Sequence, residues 1–308
     1  MKLGPRAHRR LLVWGTCVTV IAGFTSLALW QVNTSRSQAE REALLDHRVS
    51  AGSLLIVGGG VVTPAIRAKF VELSGGPPQA RIVIIPASEP GPGDHQRWLA
   101  PWLSFNPQSV EVLHAATRAT ADDQEFCRTL ERATGVWLGG GNQALLAERY
   151  AETLVVQRLA ELLARKGVIG GTSAGAAAMS QVMIVDGTGQ PTEGQGLGLF
   201  REAIVDQHFL RRNRMWRLQQ MLTAHSDLVG FGIDERTALL VQGADRRLTV
   251  IGDSYVVACL PALDAAPTRF EILKPGDQVT LQALRDDHLP YHPEIDWTEV
   301  NRRGEMAD

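Results

Sequence analysis

The sequence predicts an α/β protein with a mostly parallel sheet and an antiparallel C-terminal part. Three observations carry that reading. From residue 52 to residue 172, short apolar runs alternate with segments of helical spacing. Several of those runs end in glycines, at Gly58, Gly59 and Gly60, at Gly139, Gly140 and Gly141, and at Gly170 and Gly171. Beyond residue 228 the apolar runs crowd together, with turn signals and no helical segment between them. Apolar strands separated by helices bury both faces of a parallel sheet, and close-spaced strands with Gly and Asp between them read as hairpins.

The elements follow in order. "SLLIVGGG" from residue 53 is a first strand, and "TPAIRAKFVELSGG" is a helix with Thr63 as cap and Pro64 in its first turn. "ARIVIIPAS" is a second strand, "DHQRWLAPWLSF" a helix and "SVEVLHA" a third strand. "ADDQEFCRTLERA" opens with acidic residues, as a helix N-terminus favours. "GVWLGGGNQ" is a fourth strand, "YAETLVVQRLAELLARKG" an amphipathic helix and "GVIGG" a fifth strand running straight into Ser173. After residue 228, "LVGFGIDE", "TALLVQGA", "RLTVIGD", "SYVVACL" and "RFEILKPGDQVTL" read as the antiparallel strands, with turns at Gly243-Ala244-Asp245 and Gly252-Asp253. The stretch 184–200, with "GTGQPTEGQG", reads as a flexible loop bordering the site.

The N-terminus is a different text. Lys2, Arg6, Arg9 and Arg10 precede the uncharged apolar segment 11–32, long enough to span a bilayer as a helix. The basic flank places the N-terminus in the cytoplasm and the remainder outside it. The length favours an uncleaved anchor over a cleaved signal peptide. The expected organisation is an anchor or signal segment over 1–33, a linker over 34–51 and one domain over 52–308, in the periplasm or secreted, membrane-anchored if the leader stays. The whole chain of 308 residues has 31 Lys and Arg against 33 Asp and Glu, a net charge of −2, which argues against a nucleic-acid-binding surface. Cys17, Cys127 and Cys259 lie far apart without ligand spacing. No zinc site or disulfide framework is indicated, and two buried thiols at Cys127 and Cys259 are favoured over a bridge. No phosphate-cradling loop and no dinucleotide fingerprint is present, so no cofactor and no metal is expected.

The chemistry centres on "GTSAG", residues 171–175, which fits G-x-S-x-G between an apolar strand and a run fit for a helix. That context is the one in which the pattern marks a nucleophile elbow. Small neighbours let the turn close, and the following helix N-terminus aims amides at developing negative charge. A tight turn that merely contains a serine is the competing reading. A serine nucleophile needs a base. Of eight histidines, His208 stands apart, because "AIVDQHF" places it just past an apolar strand, where α/β active sites form. The base needs an orienting acid. "GFGIDERTALL" offers Asp234 and Glu235, which alternation puts on opposite faces, so at most one meets the histidine. The run from Gly139 to Gln143 either approaches a ligand with its backbone or forms a plain turn.

In this order, "GGTSAGAAAMS", "VDQHFLRRNRMWRL" and "GFGIDERTALLV" resemble the serine peptidase family that contains peptidase E and cyanophycinase, and cyanophycinase within it. The resemblance covers most of residues 52–260. It implies a three-layer α/β sandwich related to class I glutamine amidotransferases, with Ser173 as nucleophile, His208 as base and Glu235 as its orienter. It further implies an oxyanion hole from the amides of Ala174 and of Gly140 or Gly141. Gln143, Asp206, Gln207, Arg212, Arg214 and Arg217 would line the substrate pocket. The implied substrate is cyanophycin, a poly-aspartate carrying arginine on each β-carboxyl, and the implied product is β-aspartyl-arginine. Three arginines suit carboxylate clamping, and Asp206 suits a substrate guanidinium. A homodimer is implied by the family alone. The rivals are an aspartyl dipeptidase of the peptidase E type and a binding protein that has lost catalysis.

Overall fold

A computed structural model describes residues 51–87, 95–187, 189–261 and 268–286. The expected anchor or signal segment and the apolar segment 11–32 lie outside the described residues. Among the described residues no helix is long and apolar enough to cross a membrane.

The first half delivers five parallel strands: β1 (Ser53–Val57), β2 (Arg81–Ala87), β3 (Ser109–Val112), β4 (Gly135–Gly141) and β5 (Val168–Thr172). They lie side by side in the order β3-β2-β4-β5-β1. All five residues of β1 are buried. Leu55, Val57, Ile82 and Ile84 share one apolar cluster with Ile66, Phe70 and Trp102 from the helices Pro64–Leu73 and His95–Leu103. Leu54, Ile56, Val83 and Ile85 alternate with them, point the other way and are equally buried, so both faces are covered. Thr63 caps the first helix as expected, accepting from the Ile66 amide at 3.3 Å, with Pro64 at the start. The helix expected over 150–167 is Leu154–Ala164, and a further helix not read from the sequence, Gln143–Tyr150, precedes it, with Glu152 between the two in the left-handed region (φ +61°).

The second half departs from a simple antiparallel extension of one sheet. The short helix Ala174–Ala177 follows β5, and β6 (Val182–Asp186) pairs with β7 (Thr192–Gln195) as a hairpin. Within the stretch 184–200 read as a flexible loop, residues 184–186 and 192–195 thus belong to paired strands. β8 (Ala203–Gln207), the helix Met215–Ala224 and β9 (Val229–Ile233) form one more parallel unit. β10 (Thr237–Gln242) and β11 (Arg247–Gly252) extend the main sheet antiparallel beyond β1. β12 (Val256–Leu260) leaves that sheet to join β9, and β13 (Arg269–Leu273) joins β12, which makes a separate four-stranded sheet. "RFEILKPGDQVTL" splits between β13 and β14 (Gln278–Thr280), the latter at the edge of the main sheet beside β11. Alternating apolar strands look the same whichever sheet they enter, so this division was not legible from spacing. The β8–β9 unit matters most, because its strand ends carry two of the candidate site residues. Cys127 and Cys259 are buried and unbridged.

Candidate active site

β5 ends one residue before Ser173. Ser173 itself sits at φ +53°, ψ −114°, a conformation a non-glycine residue adopts only when its surroundings impose it. The turn closes because its neighbours are bare. A Cβ on Gly171 would stand 2.7 Å from the Gly175 carbonyl oxygen, and one on Gly175 would stand 2.3 Å from the Leu138 carbonyl oxygen. The Ser173 amide donates to the Val57 carbonyl at 3.0 Å, which ties the elbow to β1. Ala174 opens the next helix, so its amide has no partner within that helix. Gly140, at the end of β4, comes close enough that a Cβ there would lie 3.6 Å from Ser173 Cβ.

His208 follows β8 directly, is 8% exposed and also has a positive φ, +48°. Its Nε2 lies 2.9 Å from Ser173 Oγ, and its Nδ1 lies 2.5 Å from Glu235 Oε1. A carboxylate only accepts, so Nδ1 carries the proton and Nε2 is left to accept from the serine hydroxyl. Burial pushes the imidazole below its ordinary value; the hydrogen bond to Glu235 pulls it back up, and Arg212 and Arg214 lower it further. The choice between the two acids is also settled geometrically. Asp234 turns away, accepting from the Arg211 amide at 3.1 Å and from Ser254 Oγ at 2.7 Å. Ser173, His208 and Glu235 thus form one hydrogen-bonded chain across three strand ends, the geometry of a serine hydrolase in which a general base is poised on a nucleophile.

The remaining candidates divide. Asp206 is fully buried and its oxygens are taken. Arg217 donates from Nε to Oδ2 at 2.6 Å and from Nη2 to Oδ1, and Arg214 Nη1 reaches Oδ1 at 3.3 Å. The expectation that Asp206 pairs with a substrate guanidinium is corrected: the chain supplies that guanidinium itself. Arg217 is equally committed, since its Nη1 donates to the Gly187 carbonyl at 2.8 Å and so ties the β6–β7 hairpin to β8. Gln143 is tied the same way, donating from Nε2 to the Val185 carbonyl at 2.6 Å and the Ile184 carbonyl at 3.3 Å. Arg214 donates to the Gln207 carbonyl at 2.7 Å, and burial lowers its pKa to about 10. One carboxylate between two guanidiniums leaves a surplus positive charge beside His208. Arg212 is exposed, with no side-chain partner among the described residues. Gln207 is buried, and its Oε1 is an acceptor with no partner among the described residues.

Sequence reasoning read Gly58, Gly59 and Gly60 only as the end of the first strand and gave them no place at the site. A Cβ on Gly59 would stand 2.4 Å from His208 Cε1, and one on Gly60 would stand 2.8 Å from Glu235 Oε2. The only signal was three glycines where a turn needs one or two. Among the described residues no group of three or more metal-ligating side chains occurs.

This fold and site define a serine-type peptidase. A model of peptidase family S51 matches residues 54–249. The chain is 31% identical over 251 residues to the cyanophycinase of Synechococcus elongatus, covering 78% of this chain and 77% of that protein. It is 35% identical over 226 residues to the cyanophycinase of Trichormus variabilis, covering 70% and 75%. A crystal structure of a peptidase from an acI-B1 Actinobacterium superposes with a TM-score of 0.56 at 24% identity, over 75% of this chain and 97% of that one. The chain belongs to peptidase family S51. Its fold is that family's, a mixed α/β architecture of the glutamine amidotransferase kind.

Proposed function

We propose that the chain is an exopeptidase that hydrolyses cyanophycin to β-aspartyl-arginine dipeptides through an acyl-enzyme on Ser173. The observation that carries this reading is the Ser173–His208–Glu235 chain set beside a surplus of buried positive charge. His208 Nε2 takes the serine proton as Oγ attacks the backbone carbonyl of the substrate. Glu235 holds the ring in the tautomer that leaves Nε2 basic and stabilises the imidazolium. The amides of Ala174 and of Gly140 or Gly141 face the developing oxyanion. The imidazolium returns its proton to the leaving amine, water enters, and the same base activates it to release the dipeptide. Every step uses groups of this chain and water.

The substrate alternates carboxylates with guanidiniums. Arg214 and Arg212 are the groups with donors to offer a carboxylate, and the orphan Oε1 of Gln207 is the buried acceptor that an N–H of the substrate would satisfy. The curated relatives named above are cyanophycinases, which supports the same substrate. The apolar segment 11–32 supports placement outside the cytoplasm, as an anchor or as a cleaved signal. A homodimer rests on the family alone.

One observation favours the rival reading, an aspartyl dipeptidase. The pairing of Arg217 with Asp206 removes one of the three arginines that spoke for a polymer of alternating charge. Side-by-side assay separates the two readings: cyanophycin and a simple aspartyl dipeptide are each incubated with the full chain. Dipeptide release from cyanophycin at the higher kcat/KM supports the proposal; turnover of the aspartyl dipeptide alone assigns the rival.

A further inference from the structure

Three consecutive carbonyls, those of Val57, Gly58 and Gly59, accept from the amides of Ser173, His208 and Arg236 at 3.0, 2.6 and 3.0 Å. Arg236 directly follows Glu235. One short length of main chain at the end of β1 therefore bonds, residue by residue, to the segments that carry the serine, the histidine and the glutamate. Those segments span more than 60 residues of sequence, from Ser173 to Glu235.

The side-chain space matches. Gly59 has φ +115°, and the atoms closest to its missing Cβ are all of the His208 ring: Cε1 at 2.4 Å, Nε2 at 2.5 Å and Nδ1 at 2.9 Å. Gly60 has φ +66°, and the atoms closest to its missing Cβ are all of Glu235: Oε2 at 2.8 Å, Cβ at 3.1 Å and Cδ at 3.2 Å. The imidazole and the carboxylate thus rest on bare backbone. We propose that Gly58, Gly59 and Gly60 are positioning residues for the triad: the carbonyls of Gly58 and Gly59, with that of Val57 before them, set the spacing of its three members, and the missing side chains of Gly59 and Gly60 fix where ring and carboxylate lie. This inference rests on the reading of Ser173, His208 and Glu235 as the catalytic chain.

Gly60→Ala is the informative variant, with Gly76→Ala as its control. Gly76 has φ +72°, so alanine there meets the same backbone strain, yet its Cβ would find nothing within 4 Å. Gly60→Ala is expected to lower kcat by about tenfold to a hundredfold with little change in KM, since a displacement below 1 Å at a reacting group has that scale of effect. It is also expected to move the acid limb of the pH profile. The Glu235 hydrogen bond raises the His208 pKa, so loosening it lets the pKa fall and the limb shifts to lower pH. Gly76→Ala should keep both kcat and the limb. A second readout does not need activity. The fall in Tm caused by Gly59→Ala should shrink by several degrees when His208→Ala has removed the ring it meets. Ser173→Ala tests the underlying reading separately. If Ser173→Ala retains activity, the catalytic assignment fails and the inference fails with it. If Ser173→Ala is inactive while Gly60→Ala keeps wild-type kcat and pH limb, or the Gly59→Ala penalty is the same with and without the ring, the inference alone is overturned.

Discussion

At the scale of single residues, two decisions in the local chemistry organise everything else. Asp234 and Glu235 are adjacent carboxylates with opposite duties. Glu235 holds the imidazole, and Asp234 holds the turn after His208 through the Arg211 amide and Ser254. Strand alternation was the ground for expecting only one of them to face the histidine, but both lie past the end of β9, in the turn before β10, and the turn decides which one does. Ser173→Ala should lower turnover by about three orders of magnitude or more with an unchanged circular dichroism spectrum. The pH dependence follows from burial. His208 must be neutral to act as base, and burial lowers its pKa, so the acid limb of kcat/KM should lie below the ordinary histidine value of about 6.5. The same sign holds for stability. The unfolded chain binds the proton more readily than the buried ring, so protonation of this site erodes stability as the pH falls through that ordinary value. A pH–rate profile and a pH series of melting curves check the two statements. Arg214→Ala should reduce turnover of cyanophycin more than turnover of a simple aspartyl dipeptide, read as the ratio of the two kcat/KM values.

At the scale of elements, the positions of Ser173 and His208 were legible because each follows a buried run directly, and a strand's C-terminal end is where such sheets place their chemistry. The Asp206–Arg217 pair was not legible. The sequence shows an acid and a base 11 residues apart, and only the parallel β8–helix–β9 unit brings the helix Met215–Ala224 back over β8 so that they meet. The hairpin was missed for a related reason. β6 and β7 are short, partly exposed and rich in glycine nearby, and what orders them is distant: Gln143 on the Ile184 and Val185 carbonyls, Arg217 on the Gly187 carbonyl, and His225 Nε2 at 2.8 Å from Glu193. Arg217→Ala would strand the Asp206 carboxylate with only Arg214 as counter-ion and remove one of the three ties on the hairpin. A loss of about 3–5 kcal/mol is the scale for opening a buried pair, to be measured by denaturant unfolding. Leu159→Ala, in the middle of the helix Leu154–Ala164 and fully buried, should cost about 2–5 kcal/mol by the same method without changing KM.

At the scale of the whole molecule, the class of fold was readable from the alternation of strand and helix, while the existence of a second sheet was not. β12 runs beside β9 instead of continuing after β11, a choice made by long-range burial of Val256, Val257 and Cys259 and invisible to local periodicity. The consequence is functional. Segments at the strand ends of the main sheet supply Ser173, Gly140, Gly141 and the 58–60 turn, and the smaller sheet supplies His208 and Glu235 from beyond the ends of β8 and β9. The candidate active site is therefore the seam between two sheets, and the backbone bonds from Gly58 and Gly59 to His208 and Arg236 cross it. If segment 11–32 anchors the chain as proposed, the full-length protein should fractionate with membranes and deletion of 1–33 should release activity into the soluble fraction.

The most direct test of the central claim is incubation of the full chain and of Ser173→Ala with purified cyanophycin, the products being read by mass spectrometry. The account predicts β-aspartyl-arginine dipeptide from the wild-type chain and none from the variant. Equal release from both proteins, or no release from a folded wild-type chain, would contradict it.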